Sequence, residues 1–218
     1  MSKHIWAVVL VLLSGCGDKG NTDLPVTAKA PEAPDLSERI AGPGARVYHC
    51  TDTSLVLEQK GGSSMLYLDG QKVPVQQRQS SSGIEYAGTE LHLVTSGKEA
   101  TLTTRGASQS CRLDPKATAW DSAKLKGVDF RALGNEPGWQ LEISGTAMEL
   151  DTDYGQQRFK SGARRLQQGD KTLFEGSGFS ATLSPGPCVD DMSGERFDTK
   201  VAIALGSQQL HGCGNFLK

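Results

Sequence analysis

The stretch Ser54-Leu55-Val56-Leu57-Glu58-Gln59-Lys60-Gly61-Gly62-Ser63-Ser64-Met65-Leu66-Tyr67-Leu68-Asp69-Gly70 decides how this chain folds. Two short apolar runs flank a glycine pair, and the second ends at Asp-Gly, which favours the tight turn between antiparallel strands. The same rhythm continues in Gln71-Lys72-Val73-Pro74-Val75-Gln76-Gln77, then Thr89–Val94, then Ala100–Thr104, with glycines at the joins. It resumes in Trp139–Ile143, Ala147–Leu150, Lys171–Gly176 and Lys200–Leu205. No helical stripe competes, so the chain reads as all-β. Its first half is predicted to be a small antiparallel barrel or sandwich, and its second half another β-rich domain. Trp120–Leu125 is predicted to form a helical turn between the halves, with the boundary near Asp114-Pro115.

Composition narrows the function classes. The chain has 218 residues, 26 of them Gly and 9 Pro, with only 6% aromatics and a formal net charge of -2. That balance excludes the strong positive field that non-specific phosphate binding needs, so nucleic acid is not an expected partner.

Lys3 and His4 precede the apolar run Ile5–Leu13, which is too short to span a bilayer and has the plan of an export signal. Leu13-Ser14-Gly15-Cys16 looks like the bacterial lipobox, which implies a signal peptide over 1–15 and acylation of Cys16. Several acyl chains, palmitate among them, anchor a folded domain stably where one would not. Gly17 after the Cys, with Asp18 one place later, points to the outer membrane, facing the periplasm. From 17 to 44 the chain mixes prolines, alanines and alternating charges without periodicity, as a tether would.

Four cysteines remain after Cys16, and an exported chain permits disulfides. Pairing Cys50 with Cys111 and Cys188 with Cys213 keeps each bridge inside its own half. The alternative is a zinc site built from Cys188, Asp190, His211 and Cys213, but no paired Cys-x-x-Cys supports it. No metal and no cofactor is therefore expected.

Within residues 45–113 the order Val47-Tyr48-His49-Cys50, Met65-Leu66-Tyr67-Leu68-Asp69-Gly70, Ser80-Ser81-Ser82-Gly83-Ile84-Glu85-Tyr86, Thr95-Ser96-Gly97-Lys98-Glu99-Ala100 and Cys111 resembles the membrane-bound inhibitors of c-type lysozyme. The resemblance implies an eight-stranded antiparallel β-barrel with one disulfide, whose loops enter the lysozyme cleft. Carried over by position, the lysozyme-binding residues are Ser82, Gly83, Tyr86, Ser96 and Lys98. The chemistry is reasonable in itself. Such a glycosidase works with one protonated and one ionised carboxyl group across a narrow cleft. A hydroxyl on a glycine-rich turn reaches one carboxyl with little bulk, and a cation satisfies the other. This chain departs from the family pattern at Ser96, where the family has Lys, and at Glu85, where it has a basic residue. Leu93 and Val94 replace an aromatic pair. Lys98 shares a strand face with residue 96 only if the chain stays extended there.

In residues 114–218, Gly134-Asn135-Glu136-Pro137-Gly138-Trp139, Cys188-Val189-Asp190-Asp191-Met192-Ser193 and His211-Gly212-Cys213-Gly214 resemble an uncharacterised family of bacterial envelope domains. Glu136 as an acid, Trp139 as a sugar-stacking platform or a buried strand anchor, Asp190 with Asp191 as a cation site, and the basic run Arg158, Lys160, Arg164, Arg165 as an anion contact or a solvated loop are the readings these residues allow. No hydrolase, phosphate-loop or dinucleotide signature occurs, so no catalytic residue is assigned and the protein is expected not to be an enzyme. The expected function is lipid-anchored inhibition of c-type lysozyme. The alternative is an envelope structural or ligand-binding lipoprotein whose inhibitor-like barrel has diverged.

Overall fold

The computed structural model describes residues 44–218. The expected signal segment, Cys16 and the expected spacer fall on residues 1–43, outside the described residues. Among those described, no helix is long and apolar enough to cross a membrane.

The chain forms two closed antiparallel barrels of eight strands, each with one disulfide. The first comprises β1 (Ala45–Cys50), β2 (Ser54–Lys60), β3 (Ser63–Leu68), β4 (Gln71–Ser80), β5 (Gly83–Gly88), β6 (Leu91–Ser96), β7 (Glu99–Thr104) and β8 (Ala107–Leu113). Each strand pairs with the next, and β8 returns to β1. The second comprises β9 (Phe130–Asn135), β10 (Gly138–Ser144), β11 (Ala147–Thr152), β12 (Gln157–Gln168), β13 (Lys171–Gly176), β14 (Phe179–Val189), β15 (Arg196–Leu205) and β16 (Gln208–Phe216), closed by β16 on β9. Closure leaves no free sheet edge in either body.

The turn chemistry acts as the sequence suggests. Asp69 and Gly70 both take positive φ, +50° and +72°, the mirror-image turn that matches strand twist. Period-2 alternation points Leu55, Leu57, Leu66, Tyr86, Leu93 and Leu102 into the first barrel, and an eight-stranded barrel is just wide enough for side chains to fill it. The uninterrupted run Leu55-Val56-Leu57 breaks that alternation for a reason. Val56 faces outward and is buried with Ala45, Val47 and Ala117 beneath partly buried Leu125 of the inter-barrel helix.

That helix, α1 (Ala119–Leu125), starts at Thr118. The Thr118 hydroxyl accepts from the Asp121 N–H at 3.2 Å, and the Asp121 carboxylate accepts from the Thr118 N–H at 2.8 Å, a reciprocal cap. It covers the helical turn expected at Trp120–Leu125.

Two expectations need correction. The strand expected at Thr89–Val94 is β6, Leu91–Ser96, because Thr89 and Glu90 form the preceding turn with Glu90 at φ +55°. The basic run Arg158–Arg165 is no loop but part of β12, where Phe159 and Ala163 face the core while Arg158, Lys160 and Arg164 face out. Each of those three cations has a carboxylate on a neighbouring strand: Asp151 and Glu149 for Arg158, Glu149 for Lys160, Glu175 for Arg164. The expected pairing of Cys188 with Cys213 is present, and the alternative zinc site falls with it, because the two sulfurs are bonded to each other.

Candidate functional site: two adjoining turns on the first barrel

An up-and-down barrel places the β4–β5 and β6–β7 turns at the same end. The β5–β6 register, with Ile84 opposite Thr95, makes them neighbours. Ser80 pairs with Gly83, which leaves Ser81 and Ser82 exposed at the first tip. Ser96 pairs with Glu99, which leaves Gly97 and Lys98 exposed at the second.

The two tips are held close by the absence of a side chain at Gly83. Its φ is +135°, and a Cβ there would lie 2.1 Å from the Thr95 carbonyl oxygen. The Ser80 hydroxyl donates to the Gly83 carbonyl at 3.0 Å and so accepts, at 3.1 Å, from the Ser82 hydroxyl. Ser82 therefore carries one rotatable proton resting on a neutral partner, which a carboxylate would draw away into a charge-assisted bond. On the second tip, Gly97 at φ +60° begins the turn and the Lys98 carbonyl accepts from the Leu113 N–H at 2.8 Å. This fixes the Lys98 backbone on β8 while its side chain stays in solvent. Lys98 does not share a strand face with Ser96, since the turn at Gly97 separates them.

Between the tips lies a depression of about 340 Å³ floored by Tyr48, Ile84, Thr95 and Leu113. Arg46 on β1 lines it too. Sequence reasoning missed Arg46, because only barrel closure brings β1 beside turns far along the chain.

Tyr86 must be removed from the surface set. It is 0% exposed, packed inside the barrel with Leu93 and Leu102. The cause is the alternation along β5. Glu85 faces out, so Tyr86 faces in. Glu85 in turn bonds His92 and, at 3.3 Å, Arg78; the His92 contact foremost, with Arg78 adding to it, holds the Glu85 carboxyl below its ordinary range. Where the resemblance leads one to expect a cation, this face presents a neutralised carboxylate.

In the second barrel the three motifs converge structurally. Gly134 and Gly212 are bare because the Trp139 indole lies on them; a Cβ would sit 2.3 Å and 2.6 Å from its ring atoms. Trp139 is 4% exposed within the core, so the sugar-platform reading fails and the strand-anchor reading holds. The Asn135 amide donates to Asp190 at 2.6 Å, and Asp190 also accepts from the Met192 and Ser193 N–H groups and the Ser193 hydroxyl at 2.7–3.2 Å. The Ser193 N–H, with these other donors, holds the Asp190 carboxyl below its usual range against the opposing effect of burial. Asp190 is thus a 6% exposed structural tie, while Asp191 and Glu136 lie in exposed turns. Among the described residues no cluster of three or more His, Cys, Asp and Glu is arranged to hold a metal ion.

Compared with family models and with curated protein sequences, the chain matches none.

Proposed function

We propose that the protein is a non-catalytic, lipid-anchored inhibitor of c-type lysozyme, held at the bacterial outer membrane through Cys16 and facing the periplasm. One observation carries the reading: two exposed turns, one tipped by Ser82 and the other by Lys98, stand side by side across a depression that Arg46 also lines. A slim hydroxyl beside a cation is the pair that a cleft with one protonated and one ionised carboxyl group accepts. Ser82 would meet one carboxyl and Lys98 the other, with Gly83 and Ser96 supplying the close backbone approach. Arg46 adds a second cation where the sequence pattern lacks its lysine.

Between Arg46 and Leu113 seven Lys and Arg stand against six Asp and Glu, so this barrel is near neutral. Long-range steering of a basic enzyme is then weak, and association should depend little on ionic strength.

The test is a cell-wall lysis assay with c-type lysozyme and the purified chain. Ser82→Ala should weaken inhibition roughly tenfold to a hundredfold, as loss of a hydrogen bond to a charged group does. Lys98→Ala should weaken it comparably, and raising the salt should change it little. Undiminished lysis with the wild-type chain, or full inhibition by both variants, rejects the reading.

A further inference from the structure

The outer faces of β2, β3 and β4 on the first barrel and of β9 to β12 on the second enclose a cleft of about 980 Å³, at the upper end of the range for small-molecule sites. It shares no lining residue with the depression between the Ser82 and Lys98 turns.

Three features of its walls point to a ligand. Tyr154 is 82% exposed at its edge, and it is held there at a conformational cost: Asp153, Tyr154 and Gly155 take φ values of +51°, +57° and +85°, a left-handed run that residues with a Cβ avoid. The ring lies against the backbone of Gly138, where a Cβ would come within 2.5 Å of it, which leaves aromatic surface open to solvent. Next, a deeply buried donor on the outer face of β9 has no acceptor, the Arg131 Nε, in a residue only 7% exposed. Buried donors normally find partners, and exceptions call for one.

The third feature is charge. Six cations line the cleft, namely Lys60, Lys72, Lys126, Arg131, Arg158 and Lys160, against four carboxylates, Glu58, Glu142, Glu149 and Asp151. All four carboxylates are already paired within the cleft: Glu58 with Lys126, Glu142 with Lys126 and Arg131, Glu149 with Arg158 and Lys160, Asp151 with Arg158 and Lys60. A surplus of two positive charges remains, and Lys72, 5.7 Å over the Tyr67 ring, is the lining cation without a carboxylate here.

We propose that this cleft binds an acidic oligosaccharide, its sugar rings stacked on Tyr154, its carboxylates met by Lys72 and Lys160, and a hydroxyl or amide oxygen accepting from Arg131. Aromatic surface beside fixed polar groups suits a sugar, and the surplus positive charge selects a carboxylate-bearing one over a neutral one. Carboxylate-bearing amino-sugar strands are also what a lysozyme cleaves, but the inference stands on the cleft alone and does not need the first barrel to inhibit anything.

Calorimetric titration of the full chain compares two probes: an amino-sugar tetrasaccharide with lactyl carboxylates on alternate rings, and the tetramer of N-acetylglucosamine, which has none. The acidic tetrasaccharide should bind roughly tenfold more tightly or better, as loss of a charged contact costs at least that. Tyr154→Gly, which relieves the left-handed backbone, should leave the thermal midpoint unchanged or higher while lowering affinity roughly tenfold; Tyr154→Phe should retain binding. Lys72→Ala with Lys160→Ala should bring the two sugars to equal affinity. Failure of both sugars to bind, equal affinity of the wild-type chain for the two, or binding indifferent to Tyr154→Gly would each overturn the proposal, whatever the lysis assay returns.

Discussion

At Gly83 the backbone runs so close to the Thr95 carbonyl that no other residue fits, and this contact sets the spacing of the two proposed binding tips. Asp190 plays the corresponding part in the second barrel, where one buried carboxylate ties the β14–β15 loop to the Asn135 turn. Asp190→Asn turns one carboxylate oxygen into a second donor facing these donors. It should cost about 1 to 3 kcal/mol near neutral pH. The sign of the pH dependence follows from the lowered carboxyl. The ionised group's contribution is complete above the unfolded value of about 3.9 and is lost as pH falls through the lower folded value. Denaturant titrations from pH 6 to pH 2 should therefore show the gap between wild type and variant closing on the acid side. A gap constant down to pH 2 would contradict this role.

The strands explain why each barrel needs its bridge. Cys50 and Cys111 stand directly opposite on β1 and β8, at the seam where the first barrel closes. Their sequence separation of 61 corresponds to about 4 kcal/mol in the chain-entropy estimate. Cys188 and Cys213 lie on β14 and β16, which are not hydrogen-bonded neighbours; an irregularity between Pro185 and Cys188 shifts the register where β14 comes within reach of β16. Replacing both Cys50 and Cys111 by Ala should lower stability by about 4 kcal/mol in urea titrations and loosen the Ser82 and Lys98 turns together, since Leu113 on β8 holds the Lys98 carbonyl. If the double variant loses under 1 kcal/mol, the seam is held mainly by the sheet.

The two barrels meet through Lys126, just past α1. Its ammonium lies 3.4 Å from Glu58 of the first barrel and 3.4 Å from Glu142 of the second. Tyr67 joins them, donating to Glu58 at 3.1 Å; burial, and after it the Glu58 charge, push its phenol far above the usual range, so it stays a donor. On the second barrel's side Trp120 packs on Phe197, with Arg131 over its ring. Lys126→Ala leaves two carboxylates facing each other across the joint without their shared cation. The substitution should cost about 2 kcal/mol and, in calorimetry, separate the unfolding of the barrels into two transitions. A single unshifted transition would mean that Lys126 does not couple them.

Much of this was legible in the residues themselves. Alternating apolar positions and Asp-Gly or Gly-Gly turns act over a few neighbours, so the sequence alone specified strands, hairpins, the all-β class and a helical turn at Trp120. The cysteine pairing followed because each pair lay within its own half. Facing and proximity were another matter. Tyr86 looked like a surface contact until the barrel put it inside, and Trp139 could be read as a platform or an anchor until the structure laid its indole on two glycines in the core. Arg46, the cleft between the barrels and the meeting of Asn135 with Asp190 arise only on barrel closure and packing of the two bodies. Those contacts join residues far apart in the chain, and no local pattern encodes which distant strand will stand beside which.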